Sequence, residues 1–205
     1  MVAEFLRAEI DSPRFGRNYL TLLLQMNATR KELIDEPNLS NSYDNERRRQ
    51  LLFGGRGYPR NGLFTDFPEA VIWQHVRLSK REVQSALYAR VANWIVLSEG
   101  TRVVVDGARN MNDASIEALC SIFAMSDSGA NQLKETARHV QSAARAYSRG
   151  DVFPKLIAVE FDSRIVLVEG HVRATGIVLS GVDRPTDVLL GRAPEIGRWE
   201  RRLLA

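Results

Sequence analysis

The sequence predicts an α+β protein in which a mostly helical first half, residues 1–100, precedes an α/β second half, residues 101–205. Three observations carry this. The first half shows apolar residues at helical spacing between cap signals. The second half alternates helical patterns with short apolar runs. Two of those runs, joined by a two-residue turn after Pro154, read as adjacent strands. Alternation of this kind builds a sheet covered by helices.

Residues 19–26 are strongly apolar and predict a core helix. Residues 38–45 are polar and turn-rich, and Asn45 is positioned to cap a short helix that carries Arg47, Arg48 and Arg49 up to Phe53. Residues 54–62, Gly-Gly-Arg-Gly-Tyr-Pro-Arg-Asn-Gly, predict an irregular connector or lid, because Gly and Pro interrupt regular structure. The stretch lacks the lysine and Ser/Thr of a P-loop. Ser79-Lys80-Arg81-Glu82 is a capping box. The helix it opens would set Val83, Leu87, Val91 and Trp94 on one face and end before Gly100. No recognition helix follows at helix-turn-helix distance.

In the second half, Arg102-Val103-Val104-Val105-Asp106 reads as a short buried strand ending in an acid. Asn112 or Asp113 would cap a helix reaching Met125. Residues 126–131 form a polar break. Leu133, Ala137, Val140, Ala144 and Tyr147 keep helical spacing, and Gly150 ends that helix. Pro154 leads into a strand over Leu156–Phe161, Asp162-Ser163 turns it, and residues 164–168 form the next strand. A helix then runs from the Glu169-Gly170-His171 junction to Gly181. Residues 188–190 read as a further strand, with an amphipathic turn around Trp199.

Composition narrows the classes. The chain has 205 residues, 44% hydrophobic and 26% charged, which is ordinary for a globular protein. No apolar run is long enough to span a bilayer, so no membrane partner is expected. The first residues carry Glu4 and Arg7 and lack a signal-peptide core. Cys120 is the single cysteine, so an internal disulfide is excluded and a reducing cytoplasm is the expected location. The net charge of +3 is mild. Arg47, Arg48, Arg49, Arg56 and Arg60 form the densest basic cluster, read as a solvated helix face and loop, with nucleic-acid contact as the alternative. His75 and His139 stand alone, Trp73, Trp94 and Trp199 read as core anchors, and Cys120 reads as buried packing.

The stretch richest in chemistry is Ile165-Val166-Leu167-Val168-Glu169-Gly170-His171-Val172-Arg173-Ala174-Thr175-Gly176. A buried strand runs into a glycine and then a helix. The first turn of a helix offers unpaired N–H groups and partial positive charge, which suits an anion. Arg173 adds a fork of donors that matches a phosphate.

Residues 132–191 resemble the ParB/sulfiredoxin-like fold: a helix ending in glycine, a proline-led strand, a turn, a second strand, then a motif. Gly170 and Arg173 match the Gly-Glu-Arg-Arg, Gly-Cys-His-Arg and Asp-Gly-His-His-Arg variants of that motif. Glu169 and His171 come nearest the third, which includes free-amino-acid kinases. The Phe153-Pro154-Lys155-Leu156-Ile157 strand is similar to the family's proline-led strand, and residues 102–112 to its first strand and loop. The resemblance covers about half the chain. It implies a cradle for a nucleoside di- or triphosphate, ATP or CTP, with Mg2+. A sulfiredoxin has its catalytic cysteine where His171 stands, so sulfinic-acid repair is not expected. A partition-type ParB carries a DNA-reading domain after this fold, and few residues follow Trp199 here.

The chemistry then assigns roles. N–H groups after Gly170 and the Arg173 guanidinium would hold phosphate oxygens. His171 would donate a hydrogen bond or, as a cation, stabilise charge that develops in transfer. Glu169 would hold magnesium or take a proton from the attacking hydroxyl. Thr175 would add a hydroxyl. Asp106 is a second candidate base, and Asn110 and Asn112 are candidate contacts to the nucleotide or acceptor. Two functions follow: a nucleotide-dependent phosphotransferase or hydrolase with a small-molecule acceptor, or a nucleotide-gated, DNA-associated binding module. Two metal-placing carboxylates, as a nuclease needs, are not evident.

Overall fold

The computed structural model describes residues 1–12, 15–58 and 62–202. The fold is α+β. The chain forms two compact units, Met1–Trp73 with Ala193–Arg202, and Gln74–Arg192. Residues 74–100, grouped with the helical half on sequence, pack in the second unit.

In the first unit, α1 (Val2–Glu9), α2 (Gly16–Gln25) and α3 (Ser42–Arg56) are joined by a π-helical turn at Lys31–Asp35. α2 buries Tyr19 and Leu23 while Leu20 and Leu24 face outward, so the apolar run is one helix face, not an enclosed helix. Asn41, not Asn45, caps α3 by accepting the Asp44 N–H at 3.2 Å. α3 runs through Gly54 and Gly55, where an irregular loop was expected, and ends at Gly57 in the left-handed region, φ 76°. The glycines are there for contact: a Cβ on Gly55 would lie 2.4 Å from the Tyr19 ring, and one on Gly54 2.9 Å from Leu22 Cδ1. Pro59, Arg60 and Asn61 of the expected lid lie outside the described residues. A short 3-10 turn, Gly62–Phe64, and α10 (Ile196–Arg202) close the unit. The Trp199 indole N–H donates to Leu63 O at 2.6 Å, and its ring meets Phe67 edge-on.

β1 (Ile72–Leu78) carries the chain into the second unit. The Ser79 capping box is present as expected, but α4 (Lys80–Ser85) lasts less than two turns. Ala86 is extended, and β2 (Leu87–Tyr88) joins the sheet before α5 (Ala92–Leu97). The apolar spacing at Val83, Leu87 and Trp94 thus marks burial without one continuous helix. The expected strand at 102–106 is also different. Arg102 has φ 65°, Val103 makes a single bridge to Leu87, and α6 (Val104–Arg109) begins at once. Gly107 explains the choice: the Tyr88 hydroxyl lies where its Cβ would be, at 2.4 Å, which brings a helix against β2.

The rest keeps its order, but the helix expected to reach Met125 ends at Ile122, and residues 127–131, expected as a polar break, begin the next helix. Asn112 caps α7 (Asp113–Ile122), and Ser126 caps α8 (Asp127–Ser148), which buries Leu133, Ala137, Val140, Ala144 and Tyr147. β3 (Leu156–Phe161) and β4 (Arg164–Glu169) form a hairpin on Asp162 and Ser163, both at positive φ as a tight two-residue turn requires. α9 (His171–Ser180) follows β4, and β5 (Thr186–Arg192) runs parallel to β3. The sheet order is β1-β5-β3-β4-β2. α9 lies against α8 at Gly176, where an added Cβ would come within 2.8 Å of Ala143 Cβ. Among the described residues no helix is long and apolar enough to cross a membrane.

Candidate functional site

At the junction of β4 and α9 a strand passes through a left-handed glycine into the start of a helix. Gly170 stands at the N-cap of α9 with φ 94° and ψ 21°. Any L-residue is strained there, and a Cβ would sit 2.5 Å from Leu156 Cδ2. Gly170 has no side chain with which to cap α9, a ten-residue helix. Its positive end is therefore not neutralised by a cap of its own.

Arg173, in the first turn of α9, is an internal clamp as well as a candidate ligand. Its Nη2 pairs with the Glu169 carboxylate, and both side chains are 13% exposed. Its Nη1 donates to the carbonyls of Pro154, at 2.5 Å, and Lys155, at 3.2 Å. Arg173 thus ties the lead-in to β3 to the end of β4. The proline-led strand and the Gly-x-x-Arg motif meet through this one side chain.

His171 opens α9, and its Nε2 accepts the Ala89 N–H at 3.2 Å. Its ring stacks near those of Trp94, 5.6 Å between centroids, and Tyr88, 5.8 Å. Thr175 is fully buried, so the expectation that it reaches a phosphate is corrected. Its hydroxyl donates to His171 O at 2.7 Å and shares a 2.7 Å hydrogen bond with the Tyr88 hydroxyl. Tyr88 also reaches Val104 O at 3.2 Å, and burial pushes its phenol well above the usual range, which keeps it protonated.

The other candidates have different duties. Asp106 lies in the first turn of α6, not at a strand end, accepting from Thr101 Oγ1 at 2.7 Å and pairing with Arg109 at 3.1 Å. Asn110 ends α6, its amide donating to Leu97 O and to Glu99. Asn112 caps α7 through the Ser115 N–H. All three side chains are held by hydrogen bonds within residues 97–115. Glu169, Gly170, His171 and Arg173 remain together at one junction. Among the described residues no group of three or more His, Cys, Asp and Glu is placed to hold a metal, so a cation there would depend on Glu169 and on oxygens that a ligand brings.

Tyr88, Ala89, Trp94 and the Pro154 carbonyl are site residues that sequence reasoning missed. No local signal marks the first three, since they fall in what read as one helix.

The arginine cluster is mostly internal to the first unit. Arg48 is 1% exposed and donates to Asn38 O and Asn45 Oδ1. Arg47 pairs with Glu32 and Asp44. Arg56 pairs with buried Glu9 at 2.6 Å and lies over the Phe15 ring. Arg49 is exposed and pairs with Glu46, and Arg60 lies outside the described residues. His139 is exposed beside Glu135, and Cys120 is half-buried against the core. Comparison with protein-family models, with curated proteins and with solved structures finds no match to this chain.

Proposed function

We propose that the β4–α9 junction binds the phosphates of a nucleotide and supports phosphoryl transfer or nucleotide hydrolysis. The observation that carries this reading is the uncapped start of α9 behind the left-handed Gly170, with His171 and Arg173 in its first turn. Backbone N–H groups and a guanidinium in that arrangement suit a tetrahedral oxyanion. The resemblance to the ParB/sulfiredoxin-like motif points to the same ligand.

The Glu169–Arg173 pair supplies a mechanism. A phosphate that engages Arg173 Nη2 competes with the Glu169 carboxylate for it. The released carboxylate is then adjacent to the ligand, where it can contact magnesium that arrives with the nucleotide or accept a proton. In the transfer step the acceptor oxygen forms a bond to the terminal phosphorus. Its proton passes to Glu169, and the bridging P–O bond breaks to release the nucleoside diphosphate. Positioning and charge neutralisation supply most of such catalysis. The alternative of a DNA-associated module requires an exposed basic face, which the internal pairing of Arg47, Arg48 and Arg56 does not favour.

The test is thermal melting with ATP, ADP, CTP and GTP in the presence of magnesium. Ligand at about 100 times its Kd stabilises by about 2.7 kcal/mol, which for a chain of this size raises Tm by roughly 5–10 °C. Arg173→Ala should melt lower on its own, because Glu169 loses its partner, and should show less than half the nucleotide-induced rise. Glu169→Gln should keep the rise and lose turnover. If no nucleotide shifts the wild type, or Arg173→Ala shifts as much, the reading fails.

A further inference from the structure

The two edges of the sheet are finished differently. β2 forms one of them and is closed. It has only two residues, Leu87 bridges to Val103, the Tyr88 N–H donates to Arg102 O at 2.8 Å, and the Val104 N–H donates to Ala86 O at 2.9 Å. β1 forms the other edge, beside β5, and runs for seven residues, Ile72–Leu78. Among the described residues, no backbone group of 72–78 hydrogen-bonds to anything beyond the sheet. Gln74 and His75 fall on opposite faces of the strand and both are exposed, so β1 is solvated on both sides.

An open edge of this length is ordinarily blunted by Lys, Pro or a bulge, because its unpaired N–H and C=O groups recruit another strand. The run Ile72-Trp73-Gln74-His75-Val76-Arg77-Leu78 holds neither Lys nor Pro. Its one charged side chain, Arg77, pairs with Asp187 of β5 at 3.6 Å. The run is also complementary to itself. Paired antiparallel about His75, Ile72 faces Leu78, Trp73 faces Arg77, and Gln74 faces Val76. Alternation keeps Trp73, His75 and Arg77 on one face and the other four residues on the opposite face, so each pair meets side by side. The Arg77 guanidinium of one copy would lie against the Trp73 indole of the other, which is half-buried and stacked on Phe67 with centroids 6.4 Å apart. The two Arg77 residues would stand roughly 14 Å apart along the strands, whereas parallel pairing in register would bring them to about 5 Å.

We infer that β1 is a self-association edge: two copies of the chain pair their β1 strands antiparallel about His75, and their sheets become one continuous sheet across a twofold axis. One pair of strands is a small interface, so the dimer is weak and reversible. This pairing is independent of ligand binding at the β4–α9 junction.

Sedimentation equilibrium of the full-length chain, at loadings from about 1 to 100 μM, measures the association. The wild type should rise from the mass of one chain toward twice that mass. His75 is exposed, so replacing it leaves the core of each copy intact. Like charges directly opposite each other on paired strands oppose pairing. His75→Lys and His75→Glu, each first shown by circular dichroism to keep the wild-type spectrum, should therefore weaken association by about tenfold or more. An equimolar mixture of the two should recover it, because lysine then faces glutamate. His75→Thr, which keeps strand propensity and adds no charge, should associate as the wild type does. A wild type that stays monomeric over the whole range overturns the inference and leaves the edge to a strand of another protein. Association that survives in both charged variants, or that their mixture does not recover, overturns pairing about His75.

Discussion

Gly170 and Gly181 bound α9 at its two ends, and both lie at positive φ, 94° and 73°. They differ in what surrounds them. A Cβ at Gly181 meets nothing within 4 Å, whereas one at Gly170 meets the buried Leu156 side chain at 2.5 Å. Gly181→Ala should therefore cost only the left-handed strain, about 1–2 kcal/mol. Gly170→Ala adds displacement of a core side chain and should cost about 2–4 kcal/mol. Urea denaturation reads both as a lower midpoint at unchanged slope. Equal losses would show that the junction tolerates the extra atom and that its close packing does not set the β4–α9 angle. The four residues at this junction were legible from sequence because strand, glycine and helix are consecutive. The duty of Thr175 was not. A threonine one turn into a helix looks available to a ligand, and only its burial against Tyr88 shows otherwise.

At the scale of elements, Gly54 and Gly55 show how a breaker signal misleads. Glycine costs a helix about 1 kcal/mol relative to alanine, so a pair of them reads as an end. Here the cost is offset by close approach of α2 to α3. Gly55→Ala should lower Tm despite the better helix propensity, because its Cβ would fall on the Tyr19 ring, whose hydroxyl is fixed to Glu9 at 2.8 Å. Gly54→Ala meets only the end of the Leu22 side chain, which can turn away, so the change in Tm should be small or of opposite sign. Parallel melting curves decide it, and a gain in Tm for Gly55→Ala would remove the packing explanation. The helices with clear caps at Ser79 and Asn112 start where their sequences say, whereas the cap at Ser126 lay inside a stretch expected to be a polar break. Three elements escaped the sequence reading: β1, a strand over Ile72–Leu78 in the half expected to be mostly helical, and two more that were illegible for physical reasons. β2 has only two residues and so no period to detect. The Val103-Val104-Val105 run has strand propensity, but Val104 and Val105 form a helix because Gly107 must pack under Tyr88.

At the scale of the whole molecule, the site combines a local motif with partners brought in by sheet register. Ala89 reaches His171 across 82 positions of sequence, and Arg173 reaches Pro154 across 19. Contacts of that span leave no trace in local spacing, which is why half the candidate site could be read and its supports could not. Charge has the same property. The net +3 is mild and the run Arg47-Arg48-Arg49 reads as a solvated helix face, with a nucleic-acid footprint as the alternative, yet Arg47 and Arg48 hold carbonyls and carboxylates of their own unit. A protein with six to ten free phosphate contacts loses about 10³–10⁵ in DNA affinity between roughly 50 and 200 mM salt. This chain should show only weak retardation of duplex DNA, with a shallow salt slope, in mobility-shift titrations at those two concentrations. Arg49→Ala should leave that slope unchanged. Arg48→Ala should instead lower the unfolding midpoint, because the acceptors that Arg48 serves lose a buried donor. Tight binding with a steep slope that flattens in Arg49→Ala would overturn this assignment and make the outer face of α3 a DNA surface.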